Sequence, residues 1–256
     1  MLDQKYTKNV KIALLCPTRN RINKLLTFIS SIITTASTCD NIIIVLGIDS
    51  SDPIRKKYNY LNNNIPNIQI VEFMDEGKFI GLSNMWNKMA ASVDADIYAM
   101  VGDDMVFVTT DWDRFIIEEF NEQNCPPDKI KMVHCNDGMR GNGNKYSLVA
   151  PLCVNFFVHK KYIDTVGYFV EPYMLNTHHD TWIQLIFDKI KRTTYRHDIL
   201  IKHLHYSQTD QQQDMVSTNL EKLRENIWNN NEWIKTYSSE IQNELNKLKS
   251  VIKNEN

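Results

Sequence analysis

Hydrophobic and polar positions divide the first half of this chain into two kinds of segment. Short apolar runs predict strands buried on both faces, and each is followed by a stretch with helical spacing. Strands that alternate with helices in this way predict βαβ units and a largely parallel sheet. The predicted strands are 10–16, 42–48, 68–73 and 97–101, and the predicted helices are 20–33, a helix starting at Pro53, 82–92 and 113–124.

The second half is less regular in its pattern. A glycine-rich stretch over 136–144 has no periodicity, and it is either an exposed connection or a loop that closes over a ligand. The remaining predicted strands are 130–134, 153–158 and 199–205, and the remaining predicted helices are 160–166 and 180–190.

The C-terminal segment predicts an amphipathic helix, because its apolar residues recur at steps of three and four. These residues are Ile234, Tyr237, Ile241, Leu245, Leu248 and Ile252. The apolar face either packs back on the chain's own domain or forms a homodimer contact. We therefore divide the chain into a domain over 1–210 and a helical extension over 211–256.

Composition narrows the classes of function. A net charge of −2 and 43% hydrophobic residues give no electrostatic footprint for nucleic acid or for an anionic membrane. No apolar run approaches the about 20 residues that span a bilayer, and no signal pattern opens the chain. The five cysteines are scattered and include no C-x-x-C pair, so we expect reduced thiols and a cytoplasmic location.

Polar residues follow three of the predicted strands. The first strand is followed by Thr18, Arg19 and Arg21, the second by Asp49 and Asp52, and the fourth by Asp103 and Asp104. Ligands bind beyond the carboxyl ends of parallel strands in open α/β sheets. If the strands are neighbours, these groups converge on one binding site.

Asp103 and Asp104 are the most informative residues of this pattern. Adjacent carboxylates at the end of a buried strand repel each other, and a divalent cation relieves that repulsion. A solvated turn is the alternative explanation for such a pair. His203 and His205 lie on the same side of the last predicted strand, because side chains two apart share a face. We therefore predict a Mn²⁺ or Mg²⁺ site with Asp103, Asp104, His203 and His205 as candidate ligands.

The order of these motifs along the chain resembles that of a GT-A fold glycosyltransferase, similar to the family-2-like enzymes and to short versions encoded by phages and large viruses. The resemblance covers roughly 10–206 and rests on residues 16–21, 47–52, 81–87, 101–107, 178–182 and 203–205. It implies an α/β fold with a Rossmann-like, mostly parallel central sheet flanked by helices, followed by the C-terminal helical extension.

The resemblance also implies roles for the donor-binding residues. Thr18, Arg19 and Arg21 would contact the nucleotide, and the planar donor fork of arginine suits its phosphates. Asp49 would lie near the nucleobase, whereas Asp52 is as readily explained as a cap ahead of the next helix. Asn84 and Asn87 would face the donor from the helix over 82–92.

The Asp-Asp pair takes the place of the family's D-x-D motif. Asp104 would ligate the metal, and Asp103 would bind ribose or metal-bound water. Asp180 would be the catalytic base that takes a proton from the acceptor hydroxyl. As a first-turn acid of a helix, Asp180 also has a purely structural explanation, and Trp182 would either stack on an acceptor sugar or belong to the core.

The function implied by the resemblance is metal-assisted, inverting transfer of a sugar from a nucleotide diphosphate donor, with a UDP-sugar favoured. The acceptor is a glycan or another molecule with a hydroxyl group. One alternative is a nucleotidyltransferase, although its usual glycine-rich loop is absent from 17–21. Another is a non-catalytic nucleotide- or carbohydrate-binding module of the same fold. A virus-encoded version would act in the host cytoplasm.

Overall fold

A mixed sheet with helices on both faces forms the centre of the protein. The computed structural model describes residues 10–65, 67–73, 81–138, 152–204 and 232–253. The strands of this part are β1 (Ile12–Thr18), β2 (Ile42–Asp49), β3 (Ile68–Phe73), β4 (Ile97–Met100), β5 (Met105–Phe107), β6 (Met132–Asn136), β7 (Phe156–His159) and β8 (Thr193–His203). Its α-helices are α1 (Ile22–Thr35), α2 (Arg55–Asn64), α3 (Leu82–Ala91), α4 (Trp112–Glu119), α5 (Lys160–Val166), α6 (His179–Ile190), α7 (Glu232–Thr236) and α8 (Ser238–Lys253).

The strand order is β3-β2-β1-β4-β7-β6-β8-β5. Neighbours pair in parallel from β3 to β4 and again between β6 and β8. The strand β7 runs antiparallel between β4 and β6, and β5 runs antiparallel beside β8. The predicted α/β class with a central sheet flanked by helices is therefore confirmed, but the sheet is mixed. Because β1 lies between β2 and β4, the carboxyl ends of these three strands share one edge.

Both faces of the sheet carry a hydrophobic core, as the apolar runs predict. In β1, Ile12, Leu14 and Cys16 pack into one core, whereas Ala13 and Leu15 pack into the other. Side chains alternate across a strand, so a strand buried on both faces needs apolar residues at every position. The helices α1, α2 and α4 cover the first face, and α3, α5, α6 and α8 cover the second.

The boundaries differ from the prediction where local pattern is weak. The strand β5 has three residues, too few for a periodic signal, and it was missed. The strand β8 starts at Thr193 instead of 199, because its polar first half pairs with β6 before a register shift after Cys135. The helix α2 begins at Arg55 instead of Pro53, which lies in the preceding turn.

The C-terminal helix α8 packs against α5 and α6. Ile241, Leu245 and Leu248 are buried in the same core as residues of α6. This is the first of the two packing modes that the spacing of its apolar residues allows, and a homodimer through this helix stays a prediction, as does the division at residue 210. No helix of the described ranges is long and apolar enough to cross a membrane.

Candidate active site

The polar residues that follow β1, β2 and β4 converge, as the sequence predicts. They surround a cavity of about 240 Å³ at the carboxyl edge of the sheet. The residues that line it are Pro17, Thr18, Arg19, Arg21, Asp49, Leu82, Met85, Trp86, Val101, Gly102, Asp103 and Asp104. One wall is therefore polar and comes from strand ends, and the other is apolar and comes from α3.

Asp103 is a buried residue of the cavity lining and is held by Thr18 at the end of β1 and by Arg21 just after it. Its Oδ2 accepts a hydrogen bond of 2.8 Å from Thr18 Oγ1, and its Oδ1 pairs with Arg21 Nη1 at 3.1 Å. Burial raises the pKa of Asp103 to about 6; Arg21 opposes this rise and the charge of Asp104 adds to it. Both carboxylate oxygens are thus engaged by the protein itself.

Asp104 points to a different partner. Its Oδ1 lies 3.5 Å from Nε2 of His203, which is brought there by the pairing of Met105 with His203 between β5 and β8. Burial alone would raise the pKa of Asp104, but the hydrogen bond and charge of His203 hold it below its usual value. A Cβ at Gly102 would come within 2.7 Å of Asp104 Oδ1, so a glycine is needed for the carboxylate to lie there.

Arg19 and Asp49 form an ion pair on the same wall. Arg19 Nη1 lies 2.8 Å from Asp49 Oδ2 and also donates to Ser51 Oγ. Asp49 Oδ1 accepts from the backbone N–H and the hydroxyl of Ser51, both at 2.7 Å. Asp52 is separate from this group: it accepts from the backbone of Asn20 and Ile54 and from Tyr58, so its role is to hold the turn.

The structure does not bring Asn87 to the cavity. Its side-chain oxygen accepts from the backbone N–H groups of Phe169 and Val170, and its Nδ2 donates to the Val170 carbonyl. Asn84 is half-buried on α3, but the residues of that helix that line the cavity are Leu82, Met85 and Trp86. The sequence predicted the helix that carries these three residues but gave them no role in the site, because apolar side chains of a helix are as readily explained by core packing.

Asp180 lies in the first turn of α6 and is not among the residues that line the cavity. Its Oδ1 accepts from the backbone N–H of Thr181 at 2.7 Å, as a first-turn acid does. The preceding residue, His179, meets the ring of Trp86 edge to face at 5.3 Å. Trp182 is buried and donates to Glu244, so it belongs to the core rather than to an acceptor site.

Sequence reasoning missed a buried pair in this region, Glu171 and His179. Glu171 Oε1 lies 2.8 Å from His179 Nδ1, and both side chains are almost fully buried. His179 lies in the segment 178–182, but Glu171 belongs to no recognisable motif, and the seven positions between them include a loop whose path the sequence does not reveal.

The described residues contain no group of three or more His, Cys, Asp and Glu side chains that would hold a metal ion by themselves. Asp104 and His203 are together, but the predicted ligand Asp103 is taken up by Thr18 and Arg21. The other predicted ligand, His205, lies outside the described residues, as does most of the glycine-rich loop.

The fold is similar to that of known glycosyltransferases. TarS 1–349 of S. aureus matches with a TM-score of 0.56 at 12% identity, covering 75% of this chain and 59% of that chain. The mannosyltransferase PcManGT of Pyrobaculum calidifontis, solved with GDP-Man and Mn²⁺, matches with a TM-score of 0.59 at 12% identity, covering 77% and 57%. TarS 1–349 with UDP-GlcNAc matches with a TM-score of 0.55 at 11% identity, covering 84% and 65%.

These likenesses establish a GT-A-like fold for this chain. The chain spans less than two thirds of the length of these structures. No family model matches its sequence, and no curated protein does. The similar structures come from S. aureus and Pyrobaculum calidifontis. The predicted resemblance to phage and viral versions therefore stays a prediction.

The opposite pKa shifts of Asp103 and Asp104 predict opposite effects of pH on stability. The folded-state pKa of Asp103, about 6, exceeds its ordinary value of 3.8. Protonation of Asp103 therefore stabilises the folded state fully below this ordinary value. Its contribution to the free energy of unfolding, roughly 3 kcal/mol, is lost as pH rises through about 6. For Asp104, whose folded pKa is lowered, stability is instead lost as pH falls below the ordinary value.

Urea unfolding of the wild type, Asp103→Asn and Asp104→Asn from about pH 2 to 7.5 measures both effects. Relative to Asp103→Asn, the wild type should become less stable as pH rises. Relative to Asp104→Asn, it should become less stable as pH falls. Differences that are flat, or that share one sign, would contradict the described geometry.

Proposed function

We propose that this chain is a glycosyltransferase that moves a sugar from a nucleotide diphosphate donor to a hydroxyl acceptor with the help of a divalent cation. The supporting observation is the set of polar side chains around one cavity at the carboxyl edge of a GT-A-like sheet. This set consists of Thr18, Arg19, Arg21, Asp49, Asp103 and Asp104.

Arg19 and Arg21 are the groups we assign to the donor phosphates. Both line the cavity, and both are fixed by carboxylates, Arg19 by Asp49 and Arg21 by Asp103. The two contacts of Arg19 use Nη1, so the Nη2 and Nε donors of its fork can meet a phosphate. Fixed guanidinium groups bind a diphosphate at a low entropic cost, because little side-chain freedom is lost.

Asp49 is the residue we assign to the nucleobase. A carboxylate accepts about four hydrogen bonds, and Asp49 receives two from Ser51 on Oδ1 and one from Arg19 on Oδ2. One further N–H, such as that of a uracil ring, therefore completes its set of partners. We favour UDP because TarS, one of the similar structures, forms complexes with UDP and with UDP-GlcNAc.

The residues present fit a cation that is shared with the donor. Asp104 Oδ1 and His203 Nε2 are 3.5 Å apart, a distance compatible with two ligands that each lie about 2.1 Å from one ion. Mg²⁺ and Mn²⁺ commonly take one or two carboxylates from the protein and the remaining oxygens from substrate phosphates. When bound, such an ion would neutralise the leaving diphosphate.

Asp103 has a different task in this proposal. Its bonds to Thr18 and Arg21 orient the loop after β1, and so hold Arg21 on the cavity wall. With Oδ1 and Oδ2 both occupied, Asp103 contributes negative charge next to Asp104 rather than a free ligand atom. This charge strengthens the attraction of the pair for a cation.

Asp180 is the catalytic base in this proposal, and the transfer is inverting. It follows His179, whose ring contacts Trp86 on the cavity wall, so the first turn of α6, which carries Asp180, is in contact with that wall. Its bond to the Thr181 backbone N–H holds Oδ1 in place, and as the base it would take the proton from the acceptor hydroxyl. The acceptor is a glycan or another hydroxyl compound.

The cation prediction is tested on nucleotide release from a panel of nucleotide sugars. Chelation should abolish release and Mn²⁺ should restore it, because the leaving group loses its counter-charge. Asp104→Asn should lower the rate by about 100-fold or more. The matched control is Asp94→Asn, an exposed carboxylate paired with Lys160, which should keep the wild-type rate. Full activity after thorough chelation would contradict the cation's role.

The base prediction compares two aspartates of the same helix. Asp180→Asn should lower sugar transfer by about 10²- to 10⁴-fold, because no carboxylate then removes the proton from the attacking hydroxyl. Donor affinity, measured by titration calorimetry, should stay unchanged. Asp188→Asn, an exposed residue near the other end of α6, is the control. Near-normal transfer by Asp180→Asn would remove Asp180 from the mechanism.

A further inference from the structure

The segment from 169 to 179 is attached to α3 at three points. Asn87 holds the backbone of Phe169 and Val170 through three hydrogen bonds. The Ser83 backbone N–H donates to the Leu175 carbonyl at 3.1 Å. The third point is the ring contact between His179 and Trp86. The helix that forms the apolar wall of the cavity is therefore joined to the start of α6.

Glu171 and His179 form a direct side-chain bond between the start of this segment and α6. The two residues are 1% and 4% exposed, and Glu171 Oε1 lies 2.8 Å from His179 Nδ1. A buried polar group without a partner is costly, so each of the two requires the other. Replacing such a pair by apolar residues is often neutral for stability, which leaves orientation as its distinctive contribution.

Burial opposes a charge on either member of the pair. It raises the pKa of Glu171 well above its usual value, and the nearby Glu244 adds to that rise. Burial lowers the pKa of His179 to about 4. Which atom donates in the bond between Glu171 Oε1 and His179 Nδ1 depends on the tautomer of the imidazole. A glutamine at position 171 has both an N–H donor and a carbonyl acceptor, so it can replace the carboxyl group in either direction.

We propose that Glu171 and His179 are positioning residues: their hydrogen bond fixes the first turn of α6, which carries Asp180, against Trp86 on the cavity wall. Trp86 is itself fixed on its other side, because its Nε1 donates to the Leu15 carbonyl of β1 at 3.3 Å. The bond thus links the neighbour of the base to the strand that ends at Thr18. This role for the pair rests on the proposed glycosyltransferase function and on Asp180 as its base.

Two substitutions of Glu171 separate positioning from folding. Glu171→Leu removes the bond and should lower the kcat of nucleotide release by about 10- to 100-fold, with little change in the donor KM, because a small displacement of a base costs that much. Glu171→Gln keeps a hydrogen-bonding partner for Nδ1 and should restore kcat to near the wild-type value. Tyr162→Phe, which removes another buried bond at Glu244, should lower the melting temperature but leave kcat unchanged.

If Glu171→Leu does not fold, the double variant Glu171→Leu/His179→Phe is measured in its place. It replaces the pair by apolar groups and keeps a ring against Trp86, and it should be folded with a lowered kcat. Wild-type kcat in this variant, or no rescue by Glu171→Gln, would overturn the proposal.

Hydrogen exchange of amides 169–181 compares the wild type, Glu171→Leu and Glu171→Gln by a measurement that does not depend on enzymatic activity. Exchange should be faster in Glu171→Leu than in the wild type and unchanged in Glu171→Gln. Equal exchange in all three proteins would refute the positioning role even if the wild type transfers no sugar. Absence of nucleotide release by the wild type, with the expected exchange pattern, would refute the proposed function alone.

Discussion

Two adjacent carboxylates at the end of a buried strand have to be kept apart, and much of the local structure serves that purpose. Asp103 turns towards Thr18 and Arg21 after β1, and Asp104 turns towards His203 on β8. Burial raises the pKa of Asp103, whereas the hydrogen bond and charge of His203 outweigh burial and lower the pKa of Asp104. The pair therefore connects the parallel half of the sheet to the antiparallel β5–β8 ribbon.

The same constraint explains the mixed character of the sheet. A purely parallel continuation after β4 would carry the chain away from Asp104, whereas β5 turns back at once and pairs with β8. His203 reaches Asp104 only through that pairing. The polar wall of the cavity thus depends on strands that are distant in sequence, and the apolar wall depends on α3 and on the segment packed along it.

The sequence predicted the features that depend on local pattern. Apolar runs placed β1 to β4 within two residues of their observed bounds, and polar strand ends indicated the convergence of Thr18, Asp49 and Asp103. Features that depend on long-range contacts were not predictable. Asn87 and Trp86 lie one residue apart on α3, yet one holds the 169–170 backbone and the other lines the cavity. The ion pair of Arg21 with Asp103 and the bond of Glu171 to His179 likewise follow from tertiary packing, not from spacing.

The central claim is that the cavity binds a nucleotide diphosphate and a cation together. The most direct measurement is a crystal structure of the protein with UDP and Mn²⁺. We expect a diphosphate beside Arg19 and Arg21, with Mn²⁺ bound by Asp104 and His203 and by phosphate oxygens. A nucleotide bound elsewhere, or a diphosphate in this cavity with no ion at Asp104, would contradict it.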